Sequence, residues 1–125
     1  MTGLQFENLI VNNARELVPR LGLGNATVLS AAPYRNDRRT RDGRPFGCQI
    51  DLLVQTARTA YVIEVKRMNR IGPEIEAEVA EKLKRLPVRP GVSKRPVLVY
   101  AGELSKSVEA DGFFDAIIPA TELLR

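Results

Sequence analysis

The chain has no histidine and only one cysteine in 125 residues. Ser-His-Asp and Cys-His catalysis are therefore excluded, as are zinc sites built from imidazoles or from several thiolates. No intramolecular disulfide can form, which fits a reducing compartment. Cys48 itself reads as a small apolar residue at a strand start. Aromatic residues are scarce, at 6%, and do not alternate with the arginines, so no base-stacking platform is evident. No segment approaches the roughly 18 consecutive apolar residues of a membrane span. The opening "MTGLQFENLI" lacks the basic and apolar regions of a signal peptide. The expectation is a soluble, cytoplasmic domain with no membrane partner. What remains for chemistry is carboxylates, lysines and an oxygen-loving cation such as magnesium.

Hydrophobic residues make up 44% and charged residues 27%. That composition and length suit one globular domain over residues 1–125, with a core that needs no staples. The formal net charge of +4 is a moderate bias toward polyanions.

Residues 4–21 read as an amphipathic helix. Ile10, Val11, Ala14, Leu17, Val18 and Leu21 recur at spacings of three and four. Pro19 marks a kink or last turn, and "GLGN" a stop. "ATVLSAAPY" is a predicted strand ending near Pro33. "RNDRRTRDGRPFG", residues 35–47, carries five arginines among turn-forming residues and reads as an exposed, mobile loop. "CQIDLLV" and "AYVIEVKR" are predicted strands joined by a turn at "TART". Pro73 opens a helix with acids at its start and Lys82, Lys84 and Arg85 at its end, which complements the helix dipole. Ile75, Val79, Leu83 and Leu86 form its apolar stripe. "VLVYAG" reads as a buried strand, "LSKSVEA" as a short helix, "FFDAIIPA" as a last strand and "TELLR" as a last helical turn. The predicted order is α-β-β-β-α-β with a further strand and short helix, a mixed sheet flanked by helices.

Alternation along the central hairpin sets Ile50, Leu52 and Val54 on one face and Gln49, Asp51 and Leu53 on the other. On the second strand Val62, Glu64 and Lys66 share a face. A turn of even length gives partners summing to 115, which opposes Asp51 to Glu64 and Gln49 to Lys66. Carboxylates so close repel unless they share a proton, have a lysine at hand or bind a divalent cation. Glu7 falls within the apolar stripe of the first helix and can join them. The plainer alternatives are a dipole-favoured surface residue for Glu7, solvent-facing strand residues for Asp51 and Glu64, and a polar strand end for Lys66 and Arg67.

At these residues the sequence resembles the PD-(D/E)XK nuclease superfamily, with its restriction endonuclease-like α/β fold. The matching residues are a helical Glu7, Asp51 in "GCQID", and Glu64 and Lys66 in "EVK". The combination with "RPVLVYAG" looks most like the nuclease-like domain C-terminal to some prokaryotic AAA-type ATPases. That resemblance implies a domain of a larger protein or its free-standing relative, with an ATPase partner and homodimerisation as further implications. Ile50 stands where the nominal motif has proline, and Gln49 where many ATPase-linked relatives have Glu.

The implied chemistry is magnesium- or manganese-dependent phosphodiester hydrolysis, most simply of DNA. Asp51, Glu64 and the Val65 carbonyl would ligate metal, Lys66 would orient or deprotonate water, and Glu7 would act beside them or as a further ligand. Arg35, Arg38, Arg39, Arg41 and Arg44, with Arg67 and Arg70 nearer the site, are candidate phosphate contacts. The alternative is a catalytically inactive nucleic-acid-binding or interaction domain on the same fold.

Overall fold

The computed structural model describes residues 2–23 and 25–123, and every side chain among them except that of Arg15. Of the predicted last turn, "TELLR", Leu124 and Arg125 lie outside the described residues.

Helix α1, Gly3–Asn12, starts at a capping box. The Thr2 hydroxyl accepts from the Gln5 amide, and the Gln5 side chain accepts from the Thr2 amide. Two of the orphan donors at the helix start are thereby satisfied. The predicted continuous helix instead breaks at Asn13, whose side chain donates to the Leu9 carbonyl at 2.7 Å. A short α2, Ala14–Leu17, and a 3-10 turn, Val18–Leu21, complete the segment. The 3-10 turn accommodates Pro19 at its first turn, where a missing N–H costs little.

Five strands follow: β1 Ser30–Asn36, β2 Cys48–Gln55, β3 Thr59–Ile71, β4 Ser93–Leu104 and β5 Ala116–Pro119. They lie side by side in chain order, β1-β2-β3 antiparallel and β3-β4-β5 parallel. Helix α3, Glu74–Arg85, makes the crossover between the parallel pair β3 and β4, and α4, Lys106–Asp111, connects β4 to β5. The molecule is therefore an α/β fold with a mixed sheet flanked by helices. Among the described residues no helix is long and apolar enough to cross a membrane.

Each face of the sheet has its own core. Phe6, Ile10, Leu17 and Leu21 pack on Leu52, Val54, Ile63, Val97 and Val99. Ile75 and Val79 of α3 pack with Ile71, Leu98 and Val108 on the other side, and Leu86 with Leu53 and Val62. Fully burying a side chain of this size is worth roughly 1.5–3 kcal/mol, so the alternation of β3 fixes which face it presents to each helix.

Two departures from regular pairing shape the functional region. Between Ala32 and Tyr34 β1 advances two residues while its partners advance three, from Leu53 to Ile50. The extra residue lies on β2 around Asp51, opposite Pro33, which has no N–H to give. Strict alternation is thereby broken: Ile50 packs with Leu53 rather than with Leu52 and Val54. The second departure is a parting of strands. β2 and β3 pair from Gln55–Ala60 to Leu52–Ile63 and no further, while β2 continues along β1 and β3 along β4. The sheet forks at Asp51 and Glu64.

Candidate active site

The turn at Thr56–Thr59 is closed by the Thr56 amide on the Thr59 carbonyl at 2.9 Å, and the hairpin register sums to 115, as an even turn requires. Asp51 and Glu64 occupy the next step beyond the last paired residues, Leu52 and Ile63. Asp51 is 8% exposed and Glu64 4%. The predicted opposition of Gln49 and Lys66 is not formed, because the strands have already parted; Gln49 is exposed and pairs with Arg35 on β1.

At the fork Asp51 Oδ2 accepts from the buried Val65 amide at 2.8 Å. The side chain thus satisfies a donor beyond the last β2–β3 pair and fixes its own carboxylate between the strands. Glu7 reaches the same point from α1, beside Asp51. Burial, then the neighbouring Asp51 carboxylate, push the Glu7 carboxyl above its ordinary pKa against the pull of Lys82 and Lys66.

Glu64 faces α3. Lys82 Nζ donates to its Oε2 at 2.8 Å, and Lys66 Nζ lies 3.8 Å from Oε1. Lys66 is nearer to Glu78 of α3, at 3.3 Å. Burial above all, and then Asp51, raise the pKa of Glu64, although both lysines oppose the shift. Burial disfavours the charge on Lys82, but the hydrogen bond and charge of Glu64, with Asp51 and Glu78 beyond, outweigh it and hold its pKa high.

All four residues of the sequence motif, Glu7, Asp51, Glu64 and Lys66, therefore join one network from three elements. Lys82 and Glu78 are members that sequence reasoning missed. They look like dipole-complementing charges, yet they lie seven and three residues after Ile75, on the flank of the stripe that meets the sheet. Gly47, Cys48, Gln49, Asp51, Glu78, Lys82 and Arg85 line an open pocket of about 390 Å³ there.

The donors suit magnesium in kind, being hard oxygens from Glu7, Asp51, Glu64 and the Val65 carbonyl. Among the described residues, no three His, Cys, Asp or Glu side chains are arranged to hold an ion together. The oxygens are turned to internal partners instead: Glu64 to two ammonium groups, Asp51 to an amide, with Glu7 beside it.

The arginine-rich segment is exposed, as expected, and is folded into a hairpin tip. The Thr40 amide donates to the Arg44 carbonyl and the Phe46 amide to the Arg38 carbonyl, and Arg39 bridges Pro45. Phe46 has the Arg38 and Arg85 guanidinium groups over its ring at 6.0 and 5.5 Å, which ties the tip to the end of α3. Arg35 and Arg44 pair with Asp37 and Asp42, Arg39 donates to the Gly43 carbonyl, and Arg41 is exposed. A second pocket, about 280 Å³, is lined by Arg35, Arg38 and Arg39 and shares Gly47, Cys48 and Gln49 with the first. Arg67 and Arg70 lie on the exposed end of β3, beyond Lys66.

No protein-family model matches the sequence. No curated protein matches it either. Among solved structures, the crystal structure of a protein of unknown function, AF1548, is similar at 14% identity with a TM-score of 0.49. The match covers 87% of this chain and 56% of that one, so the present chain spans little more than half of that protein's length.

Proposed function

We propose that this domain hydrolyses phosphodiester bonds in nucleic acid, DNA in the first instance, with magnesium or manganese at the fork between β2 and β3. The observation that carries the reading is the convergence of Glu7, Asp51, Glu64 and Lys66 at one break in the sheet. A folded domain gains no stability from gathering carboxylates there, since Glu7 and Glu64 are each pushed toward protonation by burial and by the Asp51 charge. With all groups charged, Glu7, Asp51, Glu64 and Glu78 against Lys66 and Lys82 leave an excess of two negative charges, which one divalent cation balances.

In this reading Asp51 and Glu64, with the Val65 carbonyl, hold the cation, and Glu7 supports Asp51. The cation, when bound, polarises the phosphate and acidifies a water. Lys66 stands beside Glu64, so its ammonium is available to orient that water or to neutralise charge on phosphate. Arg35, Arg38, Arg39, Arg41 and Arg44 supply phosphate contacts along the adjoining pocket, with Arg67 and Arg70 on the other tine of the fork. A cytoplasmic location, an ATPase domain as partner and a homodimer belong to the same proposal through the family resemblance.

One observation favours the second reading, a catalytically silent nucleic-acid-binding or interaction domain: Lys82 already neutralises Glu64. A panel of linear, single-stranded and branched DNA and of RNA, incubated with the protein in magnesium and in manganese, separates the two. Cleavage that Glu64→Gln and Lys66→Ala each abolish supports hydrolysis. Binding without cleavage supports the silent domain, and absence of binding at low salt rejects both nucleic-acid readings and leaves the interaction domain.

A further inference from the structure

Lys82 has no task in the proposed hydrolysis, although it makes the shortest ion pair with Glu64. Its ammonium donates to Oε2 at 2.8 Å, whereas Lys66 stands 3.8 Å from Oε1 and closer to Glu78. Lys82 comes from the last turn of α3, a regular helix anchored by Ile75 and Val79, and its backbone carbonyl accepts from the Leu86 amide, so its backbone is held in place. Its side chain is 25% exposed and opens on the pocket that also contains Asp51 and Gln49. A long, flexible ammonium in that position can swing outward without being buried uncompensated.

A divalent cation at about 2.0–2.6 Å from Oε2 takes the place of the Lys82 ammonium, and on Oε1 its charge repels that ammonium a few ångströms away. The two cations therefore oppose each other at Glu64. We propose that Lys82 is a tethered counter-ion for Glu64: it compensates the buried carboxylate when no divalent cation is bound, and an arriving cation displaces it. Lys82 thereby lowers the cation affinity of the site while keeping the fork folded without metal. This inference rests on the proposed function only in requiring that Glu64 bind a cation.

The test is a calorimetric titration of Mn2+ at pH 7.5 into the wild-type protein, Lys82→Met and Lys82→Arg. The Met variant is expected to bind Mn2+ roughly tenfold or more tightly, the scale of a charge-assisted hydrogen bond no longer broken on binding. The Arg variant should retain the wild-type affinity. Without cation the Met variant should melt below the wild type, and Mn2+ should raise its melting temperature by more than it raises that of the wild type. Should the Met variant fail to fold, Lys82→Gln keeps a donor but no charge and carries the same expectation. Equal or weaker Mn2+ binding by a folded neutral variant overturns the proposal. Mn2+ binding with the expected order, but no nucleic-acid cleavage, sinks the hydrolysis and leaves the competition supported. Absence of Mn2+ binding by every protein overturns both.

Discussion

Glu7→Gln isolates the electrostatic cost of the fork. Glu7 lies beside Asp51, whose charge helps raise the Glu7 carboxyl above its ordinary pKa. Once Glu7 has lost its proton the two stand as adjacent negative charges. Two like charges 4 Å apart in an effective dielectric near 20 repel by about 4 kcal/mol. Glu7 is only partly buried, and Lys66 and Lys82 screen the pair, so a net gain of about 1 kcal/mol is expected when glutamine removes one charge. For a domain of 125 residues that is a rise in Tm of about 4 °C. The pH dependence follows from the direction of the shift. Glu7 and Glu64 bind protons more tightly folded than unfolded, so native stability falls as pH rises above the ordinary glutamate value of about 4.3. The advantage of Glu7→Gln should be absent at pH 4 and full at pH 8. Thermal melts in chelator at both values measure it. A variant less stable than wild type at pH 8, or shifted equally at both pH values, would refute the account of the carboxylate pair.

Other predictions concern the elements that hold the site. Gly102→Ala should destabilise by about 3 kcal/mol or more in urea unfolding: φ is +118°, and a Cβ would strike the Met68 carbonyl oxygen where β3 is irregular between Arg67 and Arg70. Phe46→Ala should release the arginine-rich tip from α3 and increase proteolytic nicking within residues 38–46, at a cost of under about 1 kcal/mol in global stability. Replacing Arg38, Arg39 and Arg41 together should weaken oligonucleotide binding and flatten its salt dependence, by about 0.7–0.9 in slope for each phosphate no longer neutralised.

Much of this geometry is readable from residues 49–67. An even turn fixes the register, and the apolar run of β3 fixes its faces, because a one-residue slip would expose Val62 or Ile63. The gathering of Glu7, Asp51, Glu64 and Lys66 follows from those local rules. The orientation of Asp51 does not. Alternation alone groups it with Leu53, but the extra β2 residue opposite Pro33 breaks the alternation and leaves the carboxylate to cap Val65 between the strands. A bulge depends on the neighbouring strand, which the hairpin sequence does not contain. Lys82 and Glu78 were hidden for a similar reason. Their charges also fit the helix dipole, and only the packing of α3 on β3 brings them to Glu64 and Lys66. The break at Asn13 likewise depends on a side chain competing for a helix carbonyl, which an apolar period cannot report.

The central claim is that Asp51 and Glu64 hold one cation jointly. Calorimetric titration of Mg2+ into the wild type, Asp51→Asn, Glu64→Gln and the double variant tests it directly. Joint ligation predicts one site in the wild type, loss of binding in either single variant, and no further loss in the double variant. Full binding by either single variant, or losses that simply add, would contradict it.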